Sequence, residues 1–180
     1  MAAFSFAEEA VSMDSPAADR APADLGELYD RHARAAYRLL LAMLGSPQDA
    51  EDALSEVFLR AARRDVRQIR APRAYLLASA RNQAISMLRR RKRETPLDAS
   101  HYRFFETDGM DPEQALQAQR IEAALRELPP QQREVVVLKV YEGLTFAEIA
   151  AITRTRPNTV ASRYRYAVEK LRRRLKESLP

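Results

Sequence analysis

The chain has 180 residues, 46% hydrophobic and 31% charged, with a net charge of +5, a size that suits the two small helical domains that we expect. It contains no cysteine, which excludes disulfides and thiolate metal sites and suits a cytoplasmic location. The two histidines, His32 and His101, lie far apart and outside any metal-binding motif, so we expect neither a metal nor a cofactor.

Residues 1–23 predict a disordered leader, because alanine, serine, proline and acidic side chains bury too little apolar surface to order a chain. The leader lacks the basic start and apolar run of a signal peptide. No later stretch is long and apolar enough to cross a bilayer, so we expect no membrane insertion.

Residues 24–93 predict an N-terminal domain of three helices. The first helix has apolar residues at helical spacing and ends near Gly45. Ser46 and Pro47 then form a helix start, with serine as the cap and proline in the first turn. Pro72 opens the third helix. The second helix is expected to end in a basic stretch that comprises Arg60, Arg63, Arg64 and Arg67.

The second helix also predicts an exposed acidic strip, formed by Asp49, Asp52 and Glu56 at helical spacing. No nucleophile accompanies these carboxylates, and no apolar neighbour is placed to raise a pKa for acid/base work. A partner-binding surface or an ordinary solvated face is therefore expected, and not a catalytic site.

The third helix ends in five consecutive cations at positions 89–93. Cations favour a helix C-terminus, so part of this run can serve the helix dipole alone. Five in succession exceed that need, and Arg81 with Asn82 adds polar groups upstream. Contact with DNA or RNA is the better interpretation.

The remaining chain predicts an acidic linker over 94–110 and a C-terminal domain over 111–180. Thr145 and Glu148 have the spacing of a capping box at the start of a short helix that ends near Thr153. A tight connection leads to a longer basic helix, which completes a helix-turn-helix pattern. Its outward side chains can donate hydrogen bonds to base edges or phosphates: Asn158, Thr159, Ser162, Arg163 and Tyr166. The alternative is an amphipathic helix with an ordinary charged face.

Charge alternates in sign along the chain. The net charges are −7 over 1–58, +11 over 59–93, −5 over 94–128 and +6 over 129–180. Two basic regions separated by an acidic connector suggest a polyanion held at two places, although solvated helix faces would give the same count.

Four stretches resemble the extracytoplasmic-function group of bacterial sigma factors. The first stretch is 49–60 (DAEDALSEVFLR). The second is 72–90, which contains PRAYL at 72–76, ARN at 80–82 and the arginine pair at 89–90. The third is 128–135 (LPPQQREV), and the fourth is 143–150 (GLTFAEIA) together with the helix that follows it. The sequence departs from the family pattern at several places, including Tyr75 for tryptophan, Ser86 for aspartate and Arg154 for glycine.

The resemblance implies an all-α protein of two small helical domains joined by a flexible linker. It implies that core RNA polymerase is bound through Asp49, Asp52, Glu56 and Arg60. It implies that the minus-ten promoter element is melted and read by Tyr75, Arg81, Asn82, Arg89 and Arg90. The helix-turn-helix, through the five outward residues from Asn158 to Tyr166, is implied to read the minus-thirty-five element. An anti-sigma factor is a possible further partner, and no small-molecule substrate is implied.

A conventional regulator and an enzyme are the two alternative functions. A conventional regulator would use the same helix-turn-helix, with the N-terminal domain for dimerisation or signal reception, and would bind duplex DNA on its own. An enzyme would need a clustered carboxylate or histidine site, which the sequence lacks. We therefore expect a sigma factor that acts by binding and not by catalysis.

Overall fold

The structure is a computed structural model that describes residues 20–94 and 111–177, with the side chains of 92–94 excepted. Most of the predicted leader and of the predicted linker lies outside these residues. The described chain consists of helices joined by short turns and contains no strand. The all-α prediction is confirmed.

The N-terminal half contains three helices, α1 (Leu25–Leu44), α2 (Pro47–Ala62) and α3 (Pro72–Glu94). The caps explain the first two boundaries. The Asp24 carboxylate accepts from the Glu27 backbone N–H at 2.8 Å at the start of α1, and the Ser46 hydroxyl accepts from Asp49 N–H at 3.3 Å at the start of α2. Gly45, between them, has the left-handed conformation that ends α1.

The expectation that Arg67 continues α2 is wrong. The helix ends at Ala62, and Arg67 belongs to a 3₁₀ turn over Val66–Gln68. Asp65 explains the break, because its carboxylate accepts from both the backbone N–H and the guanidinium of Arg67. Such local side-chain bonds compete with helical ones.

The C-terminal half contains α4 (Pro112–Arg126), α5 (Pro130–Val136), α6 (Phe146–Thr153) and α7 (Pro157–Glu177). Helix α5 is followed directly by a π-helical turn over Val137–Tyr141. Gly143 then reverses the chain with φ of 65°, a conformation that glycine adopts without cost.

The two halves share one hydrophobic core. Helix α1 packs against α2, α3 and α5, and α3 also packs against α6. Fully buried side chains of both halves belong to this core, and we call the contact between the halves the seam. Examples are Leu39 and Leu76 from the N-terminal half and Leu138 and Ile149 from the C-terminal half. A smaller cluster around Leu125 lies within the C-terminal half, where α4 packs on α7. Because of this shared core, the functional surfaces of both halves belong to a single packed unit.

Arg133, near the start of α5, also joins the two halves. Its guanidinium donates to the carbonyl of Ala42 in α1 at 2.9 Å. The same group donates to the carbonyls of Leu125, Arg126 and Leu128 at the end of α4, at 2.9, 2.6 and 3.0 Å. One cation therefore caps a helix end and ties it to the N-terminal bundle.

Candidate nucleic-acid interface

A pocket of about 390 Å³ lies between α2 and α3. Its lining consists of Val57, Arg60, Arg63, Arg64, Tyr75, Ser79 and Asn82. The Arg64 guanidinium lies 5.9 Å from the centroid of the Tyr75 ring, within cation–π range. The pocket thus combines cations, an aromatic ring, a hydroxyl and an amide, which are the groups that hold phosphates and unstacked bases.

The pocket brings together two of the residues predicted for the minus-ten element, Tyr75 and Asn82. It also contains Arg60, which the sequence assigned to polymerase binding. The Arg60 side chain reaches across to α3 and donates to the side-chain carbonyl of Gln83. The structure thus places Arg60 in the pocket lining, and its Nε also donates to the backbone carbonyl of Glu56 in the acidic strip.

Three pocket residues were missed as site residues, namely Arg63, Arg64 and Ser79. A spacing signal exists for Ser79. Tyr75, Ser79 and Asn82 lie four and three residues apart, which puts them on one face of α3. Arg60 lies in the last turn of α2, and Arg63 and Arg64 follow directly after that helix ends. The sequence does not show that the end of α2 lies opposite this face of α3.

Arg81 does not enter the pocket. Its Nε donates to Glu134 of α5 at 2.5 Å, and the two side chains are 15% and 3% exposed. Burial raises the pKa of the Glu134 carboxyl, and the charge of Arg81 partly offsets this effect. In this conformation the Arg81 guanidinium, which is predicted to contact DNA, is bound to Glu134 of the C-terminal half.

The basic end of α3 is divided between two environments. Arg89 and Arg90 are exposed, whereas Arg91 forms a partly buried ion pair with Asp49 of α2. The prediction that Asp49 belongs to an exposed strip is therefore wrong. The third helix packs back along the second, and its arginine reaches the Asp49 carboxylate.

The other two residues of the acidic strip remain available on α2. Asp52 and Glu56 are exposed. Leu59, one turn beyond Glu56, is an apolar side chain that is 57% exposed. Two carboxylates and one apolar side chain are thus exposed on the same stretch of α2.

The helix-turn-helix has the predicted local geometry. Thr145 N–H donates to the Glu148 carboxylate at 2.7 Å, and Glu148 N–H donates to the Thr145 hydroxyl at 3.3 Å, which completes the capping box. These bonds lower the pKa of the Glu148 carboxyl. Arg154 then takes the left-handed conformation, with φ of 52°, in the turn before α7.

The five predicted recognition residues lie on the first three turns of α7. Asn158 and Tyr166 are exposed, and Thr159, Ser162 and Arg163 are partly exposed. The Ser162 hydroxyl donates to the Thr159 carbonyl at 3.0 Å, so its donor is used within the helix. The Arg165 guanidinium lies 5.3 Å from the Tyr166 ring centroid and adds an exposed cation that is not among the five predicted residues.

Val160 anchors this helix, because it is fully buried in the shared core. The rings of Phe146 in α6 and Tyr164 in α7 also pack at 5.7 Å between centroids. Apolar contacts therefore hold α6 and α7 together, and the polar side chains around Asn158 lie toward the surface.

Within residues 20–94 and 111–177, no group of three or more acidic, histidine or cysteine residues has the geometry to hold a metal ion. None of the helices described there is long and apolar enough to cross a membrane. The residues that line the pocket and those exposed at the start of α7 are instead rich in cations and hydrogen-bond donors.

Comparison with known proteins gives two family matches. Residues 28–94 match the Sigma-70 region 2 model, and residues 118–171 match the Sigma-70, region 4 model. The pocket lies inside the first match, and the helix-turn-helix lies inside the second. Helices α1 to α3 thus fall in the first match, and most of α4 with α5, α6 and most of α7 falls in the second.

Characterised relatives carry the same family name. The chain is 34% identical over 156 residues to the ECF RNA polymerase sigma factor SigE of Mycolicibacterium smegmatis, covering 81% of this chain and 59% of that protein. It is 33% identical over 156 residues to the ECF RNA polymerase sigma factor SigL of Mycobacterium tuberculosis, covering 83% of this chain and 88% of that protein.

A solved structure shares the fold. The sigma factor RpoE in complex with the anti-sigma factor NepR from Bartonella quintana matches with a TM-score of 0.63 and 22% identity, covering 82% of this chain and 94% of that one. The two region matches and the SigL relative, which this chain covers over most of its length, lead to one conclusion. The chain belongs to the sigma-70 family, among the ECF RNA polymerase sigma factors.

Proposed function

We propose that this sigma factor binds core RNA polymerase through α2, captures the minus-ten strand in the pocket between α2 and α3, and reads the minus-thirty-five element with α7. The observation that carries the proposal is the pocket itself. It places an aromatic ring, an amide and three arginines together on the region 2 half of a chain whose other half ends in a helix-turn-helix. Such a protein acts by binding and in the cytoplasm.

The pocket suits a base turned out of the DNA stack. Its volume of about 390 Å³ falls in the range of small-ligand sites. The Tyr75 ring offers a stacking face, and the Asn82 amide can both donate to and accept from a base edge. Arg60, Arg63 and Arg64 supply positive charge for the adjoining phosphates. Arg89 and Arg90 extend this charge along α3.

Arg81 joins this set only after its ion pair with Glu134 opens. Its position next to Asn82 in the chain puts it one helix face away from the pocket. A single strand that leaves the pocket along α3 would pass this face, and the guanidinium would then contact a phosphate.

The recognition helix suits duplex DNA. Asn158, Thr159 and Arg163 lie near the N-terminus of α7, which is the end of a recognition helix that enters the major groove. Ser162 and Tyr166 flank them. Cations at the far end of α7, including Arg173 and Lys176, are exposed and suit contact with the phosphate backbone.

For polymerase binding we propose Asp52 and Glu56 as the principal contacts, with Leu59 as an apolar neighbour. Asp49 supports this surface from behind through its ion pair with Arg91. Arg60 lies at the edge between the acidic surface and the pocket, and it can serve either. An anti-sigma factor is a further proposed partner, because RpoE was solved with one. No observation favours a conventional regulator.

The proposal is tested by in vitro transcription from a promoter library with purified bacterial core RNA polymerase. The wild-type chain should direct initiation at start sites that share two spaced upstream elements. Asn82→Ala should reduce strand opening at these promoters, and Arg163→Ala should reduce upstream binding by the loss of one phosphate or base contact. Asp52→Lys should weaken core binding with an unchanged helical circular dichroism spectrum.

The control is Arg34→Ala, which removes an exposed arginine of α1, a helix that carries none of the three proposed surfaces. It corrects for the general effect of one lost positive charge. If Asn82→Ala and Arg163→Ala initiate as well as Arg34→Ala across a range of salt concentrations, the residue assignments are wrong. Tight binding of promoter duplex without core polymerase would favour the conventional regulator.

A further inference from the structure

Arg64 and Tyr75 oppose each other in the pocket between α2 and α3. Both side chains line it, and the Arg64 guanidinium lies 5.9 Å from the centroid of the Tyr75 ring. The ring is partly buried and packs against the shared core, whereas the arginine is exposed. Two flat groups therefore stand on either side of the pocket, one held by packing and the other open to solvent.

The backbone that carries Arg64 is held in place. The Arg64 N–H donates to the carbonyl of Ala61 at 3.0 Å, just beyond the end of α2. Two residues later, Val66 is buried in the shared core at the start of the 3₁₀ turn. Asp65, the neighbouring acid, accepts from the Arg67 guanidinium at 2.8 and 3.1 Å. Both carboxylate oxygens of Asp65 are thus bonded to Arg67, and the Arg64 side chain lies in the pocket instead.

Arg60, which lines the same pocket, is bound differently. Its Nε donates to the backbone carbonyl of Glu56 at 3.3 Å, and its guanidinium also donates to the side-chain carbonyl of Gln83 in α3. These bonds hold Arg60 across the two helices. Within the described residues, Arg64 is thus the pocket arginine that lies over an aromatic ring.

The separation between Arg64 and Tyr75 is close to what one stacked base needs. Neighbouring bases in a nucleic acid lie about 3.4 Å apart, so a base between two flat groups needs those groups about 7 Å apart. The observed 5.9 Å is about 1 Å less than that distance. Arg64 is exposed, and a long exposed side chain changes rotamer quickly enough to provide such a shift. A base can therefore enter between the guanidinium and the ring.

We propose that Arg64 is a base-stacking residue of this pocket. An unstacked base of the minus-ten strand lies in the slot between the Arg64 guanidinium and the Tyr75 ring, and two stacking contacts replace the cation–π contact of the free chain. Guanidinium planes and aromatic rings are both surfaces on which bases stack. The proposal rests on the proposed function, and it gives Arg64 a role beyond the positive charge that it shares with Arg60 and Arg63.

The slot and the polar groups of the pocket then have different tasks. Stacking tolerates any sequence, because every base has a flat face. Ser79 and Asn82 line the same pocket and can form hydrogen bonds with the edge of a base. The slot would therefore hold the base, and these two side chains would select it.

Lysine at position 64 separates stacking from charge. It keeps the positive charge but has a compact ammonium group in place of a plane, so the exchange is not conservative at a stacked site. A phosphate contact largely survives the exchange, because lysine also binds phosphate. The matched control is Arg70→Lys, since Arg70 is an exposed arginine in the same connection between α2 and α3.

The test uses holoenzyme assembled from purified core RNA polymerase and the full chain, at a promoter from which the wild-type holoenzyme initiates. The DNA is a fluorescently labelled duplex with a single-stranded minus-ten segment. In a parallel set, each minus-ten nucleotide is replaced in turn by an abasic nucleotide, which keeps the phosphate and removes the base. Fluorescence anisotropy gives the Kd of each complex, and circular dichroism checks that each variant keeps the wild-type helical content.

Arg64→Lys should bind the intact strand about fivefold to tenfold more weakly than Arg70→Lys, at the lower end of what stacking contributes per base. Both variants should show the same dependence of affinity on salt, because the number of phosphate contacts is unchanged. At one abasic position the difference between the two variants should disappear, because no base is left to stack. That position identifies the captured base.

Three results would overturn this role of Arg64. The first is equal affinity of Arg64→Lys and Arg70→Lys for the intact strand. The second is a deficit of Arg64→Lys that persists at every abasic position, and the third is a shallower salt dependence, which would mean a lost phosphate contact. None of them contradicts the proposed function, which fails earlier, if no promoter is found at which the wild-type holoenzyme initiates.

Discussion

Arg133→Ala removes a guanidinium that touches four backbone carbonyls at once. Three of these, from Leu125, Arg126 and Leu128, belong to the end of α4 and the turn after it. The fourth, from Ala42, belongs to the last turn of α1. The last carbonyls of a helix have no partner within the helix, so Arg133 satisfies groups that would otherwise depend on water.

The cost of this substitution follows from those contacts. A hydrogen bond from a charged donor contributes about 1.5–3 kcal/mol, and a cation at a partly buried helix C-terminus contributes up to about 2 kcal/mol. These contributions do not add, because a single guanidinium makes all four hydrogen bonds. Arg133 is only partly buried, so water replaces some of the lost hydrogen bonds in the variant. We expect a loss of about 2–4 kcal/mol in the free energy of unfolding.

The measurement is urea unfolding followed by circular dichroism at 222 nm, with Arg34→Ala as the control. The control removes an exposed arginine from α1 and should change the free energy of unfolding by less than about 0.5 kcal/mol. If Arg133→Ala and Arg34→Ala unfold at the same urea concentration with the same slope, the contacts of Arg133 contribute nothing and the reasoning is refuted.

Two further predictions concern the helix-turn-helix. Arg154→Gly should raise the melting temperature, because a left-handed conformation costs an L-residue roughly 1–2 kcal/mol and glycine's extra backbone entropy offsets only part of that gain; an unchanged or lower melting temperature would contradict it. Glu148→Gln should reduce the pH dependence of stability. Hydrogen bonds from Thr145 lower the pKa of Glu148, so its contribution is present above the unfolded pKa of about 4.3 and is lost as pH falls through the folded value. The stability difference between wild type and variant should therefore shrink between about pH 6 and pH 3, and a constant difference in urea unfolding at the two pH values would refute this.

Local features of this fold were predictable because each depends on neighbours in the chain. Ser46 caps α2, Thr145 and Glu148 form their capping box, and Gly143 takes a left-handed conformation. In each case the side chain and the backbone group that it satisfies, or the conformation that it allows, lie within three residues. Helical periodicity did not predict the end of α2, because the Asp65 carboxylate accepts from Arg67 and competes with the helical hydrogen bonds.

The candidate site residues also differ in whether their positions depend on neighbours in the chain or on distant residues. Tyr75 and Asn82 were selected by their likeness to a family motif, and the structure brings them into one pocket. Asp49 was misplaced because its partner, Arg91, is 42 residues away in the chain. Helical periodicity gives the face on which a side chain lies, but it does not give the element that covers that face.

The sequence alone was enough to predict most helix starts, several caps, the alternation of charge and the family, because these depend on local spacing and on the order of motifs. The packing of the helices was needed to show that the two halves share a core and that Glu134 and Glu142 lie against Arg81 and Arg73. Partners more than 50 residues apart leave no periodic signal in one sequence. Their pairing follows from how the helices pack, and this packing turns two surface charges of a helical chain into a buried contact between its halves.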